Sequence, residues 1–65
     1  MIWMTPFNPD TMKCTGNSTP TDFTNLKEAE DAHGAPLKKT DSYIVYEEYM
    51  FSYLRWNFEE TPSFL

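Results

Sequence analysis

The chain has 65 residues, of which ten are acidic and five are lysine or arginine, and its formal net charge is −5. A chain this short forms one small domain that hides only about 60% of its extended-chain surface on folding, so its own core is thin. The single cysteine excludes an internal disulfide framework, and one cysteine with one histidine is too few ligands for a usual zinc site. No apolar run approaches the roughly 18 residues that a membrane-spanning helix needs. These exclusions leave a protein partner as the expected source of further stability.

Residues 1–19 contain two prolines, a glycine and many threonine, asparagine and serine residues. Proline lacks a backbone donor and favours extended geometry in the residue before it. This composition predicts an extended or irregular N-terminal arm. Large apolar groups are rarely left in water, so Trp3 and Phe7 are expected to hold the arm in a groove. The alternative for this segment is a disordered tail.

Residues 20–33 predict an acidic helix. Thr19 can cap its first turn. His33 and Gly34 form a stop signal, because a cation suits the negative end of a helix and glycine tolerates left-handed backbone. Residues 35–40 then form a linker to the second predicted element.

Residues 43–58 hold most of the apolar content, at eleven of sixteen positions. Their composition favours strands, but a 16-residue strand is far longer than the usual ~5–6 residues. A helix at about 100° per residue gathers five polar residues into one stripe. The residues of that stripe are Asp41, Glu48, Ser52, Arg55 and Glu59. We therefore predict a second helix over 41–58 and a mainly α, two-helix chain, the alternative being an α+β fold with 43–58 as strands.

The chain thus divides into five segments within one small domain. They are the arm (1–19), the acidic helix with its stop residue (20–34), the linker (35–40), the aromatic helix (41–60) and an apolar tail (61–65).

The predicted aromatic helix is apolar around most of its circumference, whereas a core-facing helix needs a stripe only about 100° wide. The excess predicts an interface with a protein partner or with a second copy of the chain. Tyr, Trp and Arg are also the residues that binding hot spots favour. The predicted partner-binding residues are Tyr46, Tyr49, Met50, Tyr53, Leu54, Trp56, Trp3 and Phe7. The alternative is that these rings form the core of a compact monomer.

The chemistry-bearing residues do not form a catalytic pattern. Cys14 and His33 could pair only with a third orienting group and a preformed pocket, which so short a chain cannot enclose. The two glycines are too far apart for a phosphate-binding loop. We therefore predict no enzymatic activity, no cofactor, no metal and no small-molecule substrate.

The acidic residues suggest a different function, because carboxylates can occupy the phosphate positions of a nucleic-acid-binding protein. The candidate acidic surface consists of Glu28, Glu30, Asp31, Glu47 and Glu48. The alternative is an ordinary charged surface that keeps the protein soluble. Direct binding of nucleic acid is not expected, since clustered lysines and arginines are few.

In size and composition the chain resembles small phage- or virus-encoded proteins that bind and inhibit a host protein or cement an assembly. The leading interpretation is a non-enzymatic protein-binding module that inhibits or modulates a larger protein. The alternatives are a structural or cementing subunit, and an acidic nucleic-acid mimic that blocks a DNA- or RNA-binding protein. The first residues lack the basic region of a signal peptide, which together with the lone thiol predicts a cytoplasmic protein.

Overall fold

A computed structural model describes residues 1–62 of the chain, so most of the predicted tail, residues 61–65, lies outside the described residues. The elements in the described part are β1 (Trp3–Asn8), β2 (Lys13–Cys14), β3 (Thr19–Pro20), α1 (Leu26–His33), β4 (Lys38–Lys39), β5 (Tyr43–Val45) and β6 (Tyr49–Ser52). An antiparallel sheet dominates this structure. The expected mainly α, helical fold is therefore wrong.

The sheet has the strand order β2-β1-β6-β5-β4, and β3 pairs with β1 beside β2. On one side β1 aligns Thr5 with Met50 of β6, and on the other it aligns Phe7 with Cys14 of β2. The predicted N-terminal arm thus contains the central strand β1 and its neighbour β2. The backbone groups of β1 are satisfied by pairing on both sides, which the local composition of residues 1–19 does not reveal.

Pro6 lies inside β1, although proline is usually confined to edge strands because it has no N–H to donate. The N–H of Phe7 donates to the carbonyl of Glu48 on the β6 side (3.0 Å), while Thr15 donates to the carbonyl of Pro6 on the other side (2.8 Å). Backbone groups alternate between neighbours along an antiparallel strand, so the missing N–H faces the gap between β2 and β3. Gly16 packs on the proline ring there, and a Cβ on it would lie 2.9 Å from Pro6 Cγ.

The predicted aromatic helix over 41–58 is instead the β5–β6 hairpin and the segment that follows it. The N–H of Tyr46 donates to the carbonyl of Tyr49 (2.8 Å) across the turn that holds Glu47 and Glu48. The hairpin carries buried side chains on both of its faces, and strands buried on both faces have nearly continuous apolar sequences. The helix prediction failed because a period of two cannot be seen when both alternate sets of side chains are apolar.

The helix α1 begins at Leu26, later than predicted, because Thr19 and the residue after it pair with β1 as β3. Asn25 caps the helix, accepting from the N–H of Glu28 (2.9 Å). The helix ends at His33, followed by Gly34 at a φ of 88°, whose N–H donates back into the last turn. No helix within residues 1–62 is long and apolar enough to cross a membrane.

The two faces of the sheet carry separate apolar clusters, because successive side chains of a strand point to opposite sides. One face packs against α1 and is called the helix face; its buried residues are Ile2, Leu26, Ala29, Ile44, Tyr46 and Phe51. The opposite face is called the strap face; its buried residues are Phe7, Cys14, Tyr43, Val45 and Met50.

The strap face is associated with the segment that follows β6, residues 54–60, which we call the C-terminal strap. Backbone hydrogen bonds join Ser18 to Trp56 (2.8 Å) and Cys14 to both Glu59 and Glu60 (2.9 Å each). The hydroxyl of Ser18 also accepts from the N–H of Trp56 (2.6 Å) and lies 2.7 Å from the hydroxyl of the fully buried Thr5. The strap is therefore fastened to the sheet through both backbone and side chains.

Candidate functional site

The helix face is only partly covered by α1. The N-terminal end of the helix reaches Tyr53, whose hydroxyl accepts from the N–H of Leu26 (3.3 Å), and the C-terminal end brings His33 Nδ1 to 3.3 Å from the hydroxyl of Tyr49. The helix therefore runs along β6. Its eight residues span about 12 Å, and its contacts are with β5 and β6 rather than with β1. The part of this face that belongs to β1 remains open.

A groove occupies the open part, and we call it the helix-face groove. Met4 and Pro6 of β1 line it together with Tyr49 and Phe51 of β6, and its volume is about 400 Å³. Two polar side chains, His33 and Glu48, complete its lining. The groove is therefore mainly apolar, with a carboxylate at its border.

The aromatic side of the groove is held by contacts among rings. Tyr49 stacks on Tyr46 with ring centroids 5.0 Å apart, and meets Phe51 edge-on at 5.6 Å. Burial, and after it the neighbouring Tyr49 and Glu30, raise the pKa of the Tyr46 hydroxyl above its ordinary value. Tyr46 therefore stays a neutral donor to the carbonyl of Gly34 (2.7 Å), which ties the end of α1 to the sheet.

A second concavity adjoins the groove at Glu48, which lines both. This concavity, which we call the acidic cleft, has a volume of about 630 Å³. Its lining residues are Phe7, Asn8, Pro9, Asp10, Thr15, Leu37, Glu47 and Glu48. Three carboxylates thus line a cleft that shares Glu48 with an apolar groove.

The structure divides the eight predicted partner-binding residues between the two faces. Phe7, Met50 and Tyr46 are buried in the core, because strand alternation turns them inward. Tyr49 alone of the eight lines the helix-face groove. The remaining four lie elsewhere: Trp3, half-buried beneath Arg55; Trp56, half-buried in the strap; and Tyr53 and Leu54, exposed at 44% and 54%. The single aromatic face that the helix prediction implied does not exist.

The five predicted acidic residues are also divided. Glu30 pairs with Lys39 (2.8 Å) and Asp31 with Lys27 (3.9 Å), so two of the three helix carboxylates have lysines beside them. Glu28 accepts from the backbone N–H and the hydroxyl of the residue four before it, Thr24, and the backbone bond is the first cause of a lowered Glu28 pKa. The other two, Glu47 and Glu48, belong to the acidic cleft.

The two candidate catalytic residues, Cys14 and His33, are surrounded by core and aromatic side chains that suit a structural role. Burial, and secondarily the charge of Glu60, raise the pKa of the Cys14 thiol, so this thiol stays protonated and a weak nucleophile. His33 contacts the rings of Phe23, Tyr46, Tyr49 and Phe51. Among residues 1–62, no three His, Cys, Asp or Glu side chains are placed to hold a metal ion.

Sequence reasoning missed four of the six groove residues as binding residues: Met4, Pro6, His33 and Phe51. The signal that could have found the first two is the alternation of apolar side chains at positions 2, 4 and 6, which points to a single face once the segment is read as a strand. Together the groove and the cleft offer apolar contact, ring faces and carboxylate acceptors, which are groups for binding. Comparison with protein-family models, with curated proteins and with solved structures gives no match for this chain.

Proposed function

We propose that the chain is a non-enzymatic protein-binding module that acts as a small inhibitor or modulator of a larger protein. The observation that carries this proposal is the helix-face groove, where Met4, Pro6 and Tyr49 leave apolar surface open beside a folded core. Apolar surface of this kind, bordered by polar side chains, is typical of interaction sites on small folded proteins.

The rings of the groove support binding because they are already in place. Tyr49 is held by Tyr46 on one side and by Phe51 on the other, and its hydroxyl lies beside His33. A ring that is ordered before binding loses little side-chain entropy when a partner arrives. Tyrosine is also among the residues that contribute most to protein interfaces.

The shape of the groove favours a protein over a small molecule as its ligand. Small-molecule pockets enclose most of the surface of what they bind, typically about 70–90% of it. The helix-face groove is open to solvent and does not enclose a cavity. A protein surface can cover such a groove from above, whereas a small molecule would remain largely in water.

The alternative of an acidic nucleic-acid mimic has less support. Two of the three carboxylates on α1, Glu30 and Asp31, lie beside lysines, which reduces the negative potential that a mimic must present. A structural or cementing subunit would use the same groove, so the experiment below separates it from an inhibitor by the effect on the partner.

Site-specific photo-crosslinking tests the proposal. A crosslinking amino acid at position 48, on the border of the groove, is expected to capture a defined protein from a lysate of cells that express the chain. The same group at Asp22 is a control, because this exposed residue lies at the other end of β1, beyond the contact between Thr21 and Ile2. Excess unlabelled chain should prevent capture.

A matched pair of competitors locates the contact. Met4→Ser, which removes apolar surface from the groove, should compete poorly, whereas Leu54→Ser, at an exposed position outside the groove, should compete as well as the original chain. Loss of the captured protein's activity on addition of the chain indicates an inhibitor; unchanged activity in a complex of fixed stoichiometry indicates a structural subunit. If no protein is captured at position 48 above the level at position 22, the proposed function is wrong.

A further inference from the structure

Resting on the proposed function, we infer that the partner presents a peptide segment that places an apolar side chain in the helix-face groove and a lysine or arginine against the acidic cleft. The inference follows from the juxtaposition of the two concavities, which share Glu48 as a common lining residue.

The border of the groove is negatively charged. The acidic cleft carries Asp10, Glu47 and Glu48, whereas the two ion pairs within residues 1–62 use Lys27 and Lys39 elsewhere. The cleft therefore presents three carboxylates in an acidic chain of net charge −5. A cationic side chain is complementary to this border, and its approach is steered by the negative field.

The groove and the acidic cleft adjoin each other at Glu48. Because Glu48 lines both concavities, a ligand that fills the groove is already next to a carboxylate of the cleft. An apolar residue and a basic residue close together in one extended or helical segment meet both requirements. Neither feature alone gives this specificity, since an apolar groove accepts many side chains and a carboxylate border accepts many cations.

The same arrangement disfavours the other occupants. Two copies of the chain that met at this groove would place two acidic borders in one interface, and like charges close together weaken association. Nucleic acid would bring phosphates against Glu47 and Glu48 with the same result. A basic, apolar segment is the occupant that charge and surface chemistry both favour.

Selection from a displayed library of random twelve-residue peptides tests the inference. The full chain is the bait, and the enriched peptides are sequenced and synthesised. We expect them to share an aliphatic or aromatic residue within about three positions of a lysine or arginine, the reach of one helical turn. Amide chemical-shift changes should cluster at Met4, His33, Glu48, Tyr49 and Phe51.

Two charge-reversal variants make the test specific. Glu48→Lys, at an exposed position on a hairpin turn, should weaken binding of the selected peptides at least tenfold. Asp22→Lys makes the same change in charge at the other end of β1 and should leave binding within twofold. Both substitutions are on the surface, and their melting curves should match that of the original chain.

Four outcomes would overturn the inference: selected peptides that lack basic residues, peptides whose affinity is the same for Glu48→Lys, no enrichment of any peptide, or equal loss of binding in both charge-reversal variants. The first two leave the proposed function standing if the crosslinked protein still binds in the groove. Equal loss of binding in both charge-reversal variants would show a response to net charge alone, which also contradicts a site at Glu48. Failure of the proposed function itself is recognised separately, by the absence of a protein captured at position 48.

Discussion

The helix face and the strap face of the sheet both carry apolar side chains, yet they are covered by different means. The C-terminal strap is joined to the sheet by backbone hydrogen bonds at Cys14 and Ser18, and its Trp56 packs against the buried cluster of the strap face. The helix α1 is held mainly by side chains, including Tyr46 and Tyr53, and it extends along β6 without reaching β1.

The two kinds of cover place stability on one face of the sheet and an open binding surface on the other. An extended segment can hydrogen-bond to a sheet residue by residue, so it closes the face that it follows. An eight-residue helix satisfies its own backbone and covers only the side chains directly beneath it. The open groove on the helix face is the consequence of that short cover.

The largest expected effect comes from the core beneath the strap. Phe7 is 1% exposed, and Phe7→Ala should reduce the free energy of unfolding by about 3–5 kcal/mol, because it removes a buried ring and leaves a cavity. Urea denaturation followed by tryptophan fluorescence measures this loss. Leu54→Ala at an exposed position should cost far less; equal losses would mean that Phe7 is not a core residue.

A smaller loss is expected from unfastening the strap. Ser18→Ala removes the hydroxyl that binds the N–H of Trp56 and the hydroxyl of the fully buried Thr5, and loss of a hydrogen bond to a buried group such as Thr5 costs about 1–3 kcal/mol. The labelling rate of Cys14 by a thiol reagent provides a direct measure, because this thiol is buried beside the strap and its pKa is raised by burial. Faster labelling in Ser18→Ala than in Thr19→Ala is the expected result.

A change at the N-terminal cap of α1 is expected to affect the helix face and to leave the strap face nearly unchanged. Asn25→Ala should cost about 1 kcal/mol, since Asn25 accepts from the N–H of Glu28 at the start of α1. Amide hydrogen exchange should accelerate within residues 26–33, while the labelling of Cys14 should change little. Acceleration of both together would show that the helix and the strap open as one unit, contrary to the comparison drawn above.

The hydrogen bonds that Glu28 accepts from Thr24 before the start of α1 predict that the stability of the protein depends on pH. Hydrogen bonds from Thr24 lower the pKa of Glu28 below its ordinary value of about 4.5, so its contribution to stability is complete above that value and is lost as the pH falls through the lower folded-state pKa. Melting temperatures of the original chain and of Glu28→Gln should therefore differ most near neutral pH and converge in acid. A difference that is constant with pH would contradict this origin.

The smallest effect is expected at the exposed ion pair on α1. Lys27 and Asp31 are separated by 3.9 Å, and both side chains are largely exposed. Exposed pairs of this spacing contribute about 0.3–0.5 kcal/mol and are screened by salt. Lys27→Ala should therefore leave the melting curve nearly unchanged, and a large loss would reveal a contact of Lys27 that stabilises the helix face.

Only part of the candidate site can be read from the sequence. Tyr49 and Glu48 are recognisable as interaction residues by type, because tyrosine suits interfaces and the carboxylate suits a charged surface. Met4 and Pro6 are not, since their role depends on β1 being central and on α1 stopping short of it. The core position of Phe7 likewise depends on pairing with Cys14 and not on its sequence neighbours.

The sequence alone predicts the features that depend only on residues next to one another in the chain. The helix end at His33 and Gly34 is one, because the left-handed backbone at φ 88° requires only a glycine at that position. Other features depend on tertiary contacts: Pro6 is accepted in a central strand because Gly16 leaves room for its ring, and β5 and β6 form a hairpin whose side chains are buried on both faces. These outcomes arise from contacts between distant parts of the chain, which local composition and periodicity do not contain.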